Sequence, residues 1–356
     1  MDTKLLVPKI SIEQVLADTY KLIDVRSPSE YEEFHIPGAI SLPIFSDEER
    51  AKVGTIYKQK GNDQAKDIGV EILSSKLPHF YEKIKSFHLQ DTSKPLVVYC
   101  WRGGMRSKSI VTMMGALDIP ILQLDRGIRS YRQLIINELH ATKNFSKRFV
   151  VVEGLTGTRK TDILAELQKR EYPVINIEEL ASHRGSIFGQ IGLKPRSQKE
   201  FESLLYHRLI ELTDSPYYII EAESKRLGSI VLPDFLLEGK ENGSRIHIDM
   251  ELSERARTIC ATYQYEKNKE EFEHAIFRLK KHFPPQTFET MLEKLHQGKI
   301  HSVVEVFLRD YYDPKYEYTS KKYTTPVHRL FITSLEDGVE QVQRKINELV
   351  SSYTLV

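Results

Sequence analysis

The chain has 356 residues, 40% of them hydrophobic and 28% charged, with 51 Lys+Arg against 50 Asp+Glu and a formal net charge of +1. At roughly 150 residues per domain this length predicts two domains, each able to bury its own core. The charge balance excludes a uniformly basic nucleic-acid coat and an acidic disordered tail, but it leaves room for a local basic groove.

Two cysteines, Cys100 and Cys260, cannot build a disulfide framework. No apolar run approaches the roughly 18 residues of a membrane span. The opening MDTKLLVPKISIEQ lacks the apolar stretch and small-residue cleavage site of a signal peptide. The expectation is a reduced, cytoplasmic protein with no membrane partner.

In chain order, the first strand-like run is 20–25 (YKLIDV), followed by HIPGAISLP at 35–43 and a second run at 96–100 (LVVYC). A helical pattern follows at 107–117. The polar stretch 138–147 separates this part from a new strand pattern at 149–153 (FVVVE), which leads into a helical pattern at 161–170. Further runs stand at 174–177 (VINI), 217–221 (YYIIE) and 245–250 (RIHIDM). Short β-branched runs alternating with amphipathic stretches predict buried strands of α/β units. From 271 to 283, Phe272, Ile276, Leu279 and Phe283 form one apolar stripe at helical spacing. The predicted domains are 1–140 and 148–356, the second with a helical and tyrosine-rich C-terminal part.

Cys100 closes a strand and opens CWRGGMRS. A thiolate needs positive surroundings near neutral pH, and a loop entering a helix N-terminus supplies them through its N–H groups and the helix dipole. Gly103 and Gly104 would let the backbone curl around the sulfur, while Arg102 and Arg106 add charge and anion-binding forks. Cys260, within RARTICATYQ, has no such setting and is expected to be inert.

The second domain opens with FVVVEGLTGTRKTDILAEL, the strand, glycine-rich turn, Lys-Thr and helix of a phosphate loop. Gly154, Gly157, Lys160 and Thr161 are its phosphate-binding candidates, with the Thr161 hydroxyl on Mg²⁺. Arg159 occupies the second glycine position of the pattern. It either disfavours the backbone angle required there or adds charge to the anion site. His183 and Arg184 in HRGS offer two donors beside a flexible glycine. Glu221 and Glu223 follow a strand, where acids in phosphate-loop proteins hold Mg²⁺. Arg255, Arg257, Arg278, Lys280 and Lys281 could form basic faces for RNA phosphates, and Tyr311, Tyr312, Tyr316 and Tyr318 with Lys315 could stack on bases. A solvated helix face or core packing is the competing reading for each.

Asp24-Val25-Arg26, HIPGAISLP and CWRGGMRS, in that order, resemble the rhodanese family. The resemblance implies a chalcogen-carrying nucleophile at Cys100, a structural turn role for His35, and a bracing role for Asp24 and Arg26. The same loop fits C-x5-R followed by Ser107, the pattern of cysteine phosphatases, although Tyr99 stands where those enzymes usually have His. A rhodanese domain followed by a phosphate-loop domain is an unusual pairing. YKQKGNDQAKDIG (57–69), IEELASHRGSIFG (177–189), SQKEFESLL (197–205), EAESKRLG (221–228) and YYDPKYEY (311–318) complete a resemblance to the tRNA 2-selenouridine synthases. Arg159 is the main departure from that family's phosphate loop.

This resemblance implies an α/β protein, with an N-terminal rhodanese-like domain followed by a P-loop NTPase-like α/β domain. It further implies a selenotransferase with tRNA geranyltransferase activity. Such an enzyme replaces sulfur by selenium in wobble-position 2-thiouridine of tRNA, through an S-geranylated intermediate. Geranyl diphosphate and selenophosphate are then co-substrates, no tightly held cofactor is expected, and Mg²⁺ is the candidate ion at Thr161 and Glu221. A general sulfurtransferase and a cysteine phosphatase on the same fold remain the alternatives.

Overall fold

The predicted β-branched runs become the strands of two separate parallel sheets. A computed structural model describes residues 7–186, 189, 191–264, 267–315 and 325–351. The chain divides after Glu138 into two compact units.

In the first unit, β1 (Lys9–Ile10), β2 (Lys21–Asp24), β3 (Ile40–Ser41), β4 (Leu96–Tyr99) and β5 (Ile121–Leu124) lie in the order β1-β5-β4-β2-β3. All neighbouring pairs are parallel. Helices cover both faces of such a sheet, so its strands read as continuous apolar runs rather than alternating ones. Ile23, Val98, Ile110 and Met114 are buried in its core. The helix Asn62–Gln90 is the longest in the unit at 29 residues and buries only Ala65, Leu73, Phe80 and Ile84. That sparse stripe explains why its periodicity is weak in the sequence.

In the second unit, β6 (Arg148–Gly154), β7 (Val174–Ile175), β8 (Tyr217–Glu221), a short ribbon of β9 (Arg226–Leu227) and β10 (Ile230–Val231), β11 (Ser244–Asp249) and β12 (Val327–Phe331) follow. The main sheet runs β12-β11-β6-β8-β7, again parallel throughout. The helix Leu335–Ser351 packs Val339, Val342 and Ile346 into this core.

A helical cluster within the same unit buries Phe272, Ile276, Leu279 and Phe283, as their spacing predicts. The α-helix itself ends at Arg278 and gives way to a 3-10 turn, Lys280–His282. Phe283 is extended at φ −121° because it precedes Pro284, whose ring disfavours the helical conformation at the residue before it. Among the described residues no helix is long and apolar enough to cross a membrane.

Candidate functional site

Ligand sites in open parallel sheets form beyond the carboxyl ends of the strands. Cys100 stands at that end of β4, the central strand of the first sheet, and the helix Met105–Gly115 begins five residues later. Its Sγ is 3.2 Å from Ser107 Oγ. Gln123 on β5 donates through Nε2 to Gly103 O at 2.9 Å, Gly104 O at 3.2 Å and Ser107 Oγ at 2.8 Å. The two carbonyls fix which end of the amide faces the loop, so the Ser107 oxygen accepts from Gln123. Its own proton is left for the sulfur or for Gly104 O at 3.4 Å.

Gly103 takes φ +62°, whereas Gly104 has an ordinary φ of −91° with open space around it. Only the first of the two glycines is therefore demanded by the backbone. The tighter position is Gly127, at φ +59°, where a Cβ would lie 2.1 Å from Cys100 O and 2.6 Å from Gly103 N. Gln123 and Gly127 carry no local signal in the sequence, because the contacts that need them join residues 16 or more positions apart.

Arg106 donates to Glu30 Oε2 at 2.8 Å. Burial pushes the Glu30 carboxyl up, but Arg106, the Ser27 N–H and Arg50 outweigh it and hold the group below its ordinary value. Asp24 and Arg26 form a buried pair at 2.6 Å, and Arg26 also donates to Phe34 O. His35 stacks on Tyr31 with ring centroids 4.0 Å apart, consistent with a turn residue. A cavity of about 1050 Å³ opens at Cys100, lined by Arg102, Arg106 and the helices Asp47–Lys60 and Asn62–Gln90.

In the second unit the phosphate loop leaves the central strand β6 and enters the helix Lys160–Lys169. Gly157, at φ +86°, would place a Cβ 2.8 Å from Arg255 O, and Gly154 would place one 2.5 Å from Ile248 O. Arg159 occupies the left-handed region at φ +59°, ψ +22°. The position is thus one that favours glycine, and the arginine side chain turns toward Asp162 at 3.8 Å. Lys160 Nζ donates to Gly154 O at 2.8 Å and Leu155 O at 3.1 Å, folding across its own loop. Thr161 Oγ1 donates to Glu178 Oε2 at 2.5 Å.

Glu178 belongs to a carboxylate cluster that the sequence reading missed. Its backbone N–H donates to Glu221 Oε1 at 2.6 Å, and Gly185, at φ +64°, leaves room for a Cβ only 2.5 Å from Glu178 Oε1 and 2.9 Å from Glu223 Oε1. Burial pushes the Glu178 carboxyl up to about 8, with the neighbouring Glu223 adding to it. Glu221 and Glu223 are raised by burial as well, Glu221 also by its acidic neighbours. Burial lowers the Lys160 amine, while the three glutamates oppose that shift. Glu221 Oε2 is buried with no hydrogen-bond partner among the described residues. In the sequence, Glu178 reads as an ordinary first-turn acid behind the Asn176 cap.

His183 is buried beside this cluster, accepts at Nδ1 from the Gly185 N–H at 3.1 Å, and is pushed down by burial. Arg184 donates to Ile191 O at 2.8 Å and lies 5.2 Å from the Tyr263 ring. Among the described residues no three His, Cys, Asp or Glu side chains are grouped as a metal cage. Arg255 corrects one expectation: it is 3% exposed, donates to Thr156 O at 2.9 Å and pairs with Asp313 at 2.6 Å, so it clamps the phosphate loop and forms no surface face. Arg257 is exposed and paired with Glu254; Arg278, Lys280 and Lys281 are exposed. Tyr312 is buried and Tyr311 packs against the helical core, with Lys315 3.7 Å from its ring, so these two are core residues. Tyr316, Tyr318, Ile187 and Phe188 lie outside the described residues. Burial pushes the Cys260 thiol up to about 11.

Residues 147–298 match the family described as tRNA 2-selenouridine synthase AAA domain, and residues 11–134 match the rhodanese-like domain. The chain is 34% identical over 265 residues to a tRNA 2-selenouridine synthase of Nitrosomonas europaea, covering 72% of this chain and 67% of that one. It is 30% identical to a relative of the same name from Marinobacter nauticus (83% of this chain, 87% of that one). A third relative of that name, from Shewanella pealeana, is 27% identical (89% and 93%).

Proposed function

The chain belongs to the tRNA 2-selenouridine synthase family, and on that premise we propose that it replaces the sulfur of wobble-position 2-thiouridine with selenium in two steps. In the first, the thiocarbonyl sulfur attacks C1 of geranyl diphosphate, diphosphate leaves, and the base gives up its N3 proton. In the second, the selenium of selenophosphate attacks C2 and the geranylated sulfur departs as geranylthiol; water then cleaves the Se–P bond, releasing phosphate and returning a proton to N3. Alkylation is what makes the departure feasible, because it converts a thiocarbonyl into a thiolate leaving group.

The observation that carries the reading is the Cys100–Ser107–Gln123 arrangement. A thiol at the end of a central strand faces a hydroxyl donor whose orientation is set from the next strand, at the N-terminus of a helix. Cys100 is the proposed chalcogen-handling group, with Arg102, Gly103, Gly104 and Arg106 shaping and charging its loop. The turn of Gly154 and Gly157, with Lys160 and Thr161, is the proposed diphosphate cradle, which His183 and Arg184 border.

Mg²⁺ fits the second site. Such ions are held by one or two carboxylates together with substrate phosphates, and Glu221 has a buried oxygen without a partner near the Thr161 hydroxyl's acceptor, Glu178. Thr161 and Glu221 would hold the ion, which neutralises the diphosphate when bound. The C-x5-R phosphatase alternative is not favoured, because Arg106 is turned to Glu30.

The test is incubation of the full chain with thiolated tRNA, geranyl diphosphate and selenophosphate, followed by mass analysis of the nucleosides. Cys100→Ser is expected to lower 2-selenouridine by about 100-fold or more while the geranylated base still forms, whereas Lys160→Ala loses the geranylated base. Undiminished 2-selenouridine with Cys100→Ser overturns the role of the loop.

A further inference from the structure

Four of the large apolar side chains most exposed on this protein gather at one place. Tyr57 (58% exposed), Val70 (66%), Trp101 (39%) and Met105 (52%) all line the cavity that opens at Cys100, above buried Phe45 and Leu73. Exposed apolar side chains scattered singly need no explanation, but a cluster around a cleft marks a binding surface. The helix Asp47–Lys60, which forms one wall, has no fully buried residue. Its Ala51, Val53 and Tyr57 line the cavity, with Val53 also packed against the core.

The volume of about 1050 Å³ lies just above the roughly 300–1,000 Å³ range in which clefts enclose drug-sized ligands. The lining contains no Asp or Glu, while it includes Arg50, Lys58, Lys66, Arg102 and Arg106. An apolar trough rimmed only by cations suits a ligand with an apolar chain on an anionic body.

We propose that this cavity receives the ten-carbon isoprenyl chain of the S-alkylated base, which brings C2 of the pyrimidine to Cys100. The assignment rests on the alkylated route of the proposed function, and it assigns the chain to the thiol-bearing unit. The RNA phosphates meet the cationic rim, and the chain lies along Tyr57, Val70 and Met105.

The experiment compares binding of the full chain to an anticodon stem-loop bearing S-geranyl-2-thiouridine with its S-methyl counterpart. A charge on the wall is introduced with Val70→Glu or Tyr57→Glu, both at surface helix positions that leave the core intact, and Val70→Leu serves as the conservative control. The unaltered protein should prefer the geranyl form by about ten-fold or more, which burial of two methylenes already supplies. That preference should fall to near unity in the two glutamate variants and persist in Val70→Leu, with thermal unfolding unchanged. The ratio removes any general effect of charge on RNA affinity.

A ten-fold preference retained in both glutamate variants overturns the proposal. So does a change of sedimentation coefficient in those variants without a change of preference, which would make a second copy of the chain the occupant. If the unaltered protein shows no preference yet converts the geranylated stem-loop to 2-selenouridine, the cavity assignment falls and the route stands. If it does not convert it, the route falls as well.

Discussion

The thiol loop and the phosphate loop are built on one plan and balanced in opposite ways. Each leaves the central strand of a parallel sheet, turns on glycines with positive φ, and enters a helix. Around Cys100 the buried charges are matched: Arg26 lies on Asp24, and the largely buried Arg106 on Glu30. Around Lys160 they are not, because three buried glutamates crowd one lysine that is folded onto backbone carbonyls. A second buried carboxylate of the same unit sharpens the contrast. Glu153, on β6, is pushed up by burial but held below its ordinary value by His247 and Arg245. Burial raises all of these carboxyls; at Glu153 the cationic partners outweigh it, and at the phosphate loop they do not. Buried charge is paired at the first loop, and carboxyl groups are in excess at the second.

Three substitutions test that contrast. The largest effect is expected at Gly127, where a Cβ has no space beside Cys100 O and the backbone is left-handed. Gly127→Ala should destabilise the first unit by roughly 3 kcal/mol or more, read as a lower urea midpoint. A loss below about 1 kcal/mol would show that the thiol loop is less rigid than its matched contacts imply.

Next comes Glu178→Gln. The Glu178 carboxyl is raised from its ordinary value to about 8, so its protonated form is favoured in the folded state. Its contribution to stability is present below the unfolded value near 4.5 and is lost as pH rises through about 8. Glutamine keeps an acceptor for Thr161 and cannot ionise. The variant should gain on the order of 2 kcal/mol over the unaltered chain at pH 8, with little difference at pH 4.5. A variant that gains nothing across this window would mean that the three glutamates are already charge-compensated, and the contrast with the thiol loop would disappear.

The smallest effect belongs to Arg159. Relief of the left-handed angle by Arg159→Gly is worth about 1–2 kcal/mol, and the greater freedom of glycine in the unfolded chain returns roughly 0.5–1 kcal/mol of it. Thermal unfolding should therefore show a net gain of about 0.5–1 kcal/mol. The ion pair with Asp162, partly exposed and at 3.8 Å, contributes little against this. A net loss would assign Arg159 a structural contact that outweighs its backbone strain.

The sequence by itself determined the parallel α/β architecture, the strands that lead to Cys100 and Gly154, and the loops that follow them. Those features are local: a buried parallel strand needs a continuous β-branched run, and a turn that enters a helix must carry its glycines and its cations within a few residues. Cys100, Gly103, Lys160 and Thr161 were legible for that reason. So was the stripe from Phe272 to Phe283, whose inward face survives a change from α-helix to 3-10 turn and extended chain.

Tertiary structure alone decided which polar groups meet. Gln123 reaches the Cys100 loop from the neighbouring strand, Glu178 joins Glu221 and Glu223 across β8, and Arg255 leaves an apparently basic helix face to clamp the phosphate loop. These contacts join residues 20 to 99 positions apart, and no local pattern encodes them. In sequence, Glu178 reads as a first-turn acid behind the Asn176 cap, and Glu221 and Glu223 as Mg²⁺ candidates after a strand. Only their shared burial, which removes water from three carboxyl groups at once and favours their neutral forms, makes them a site.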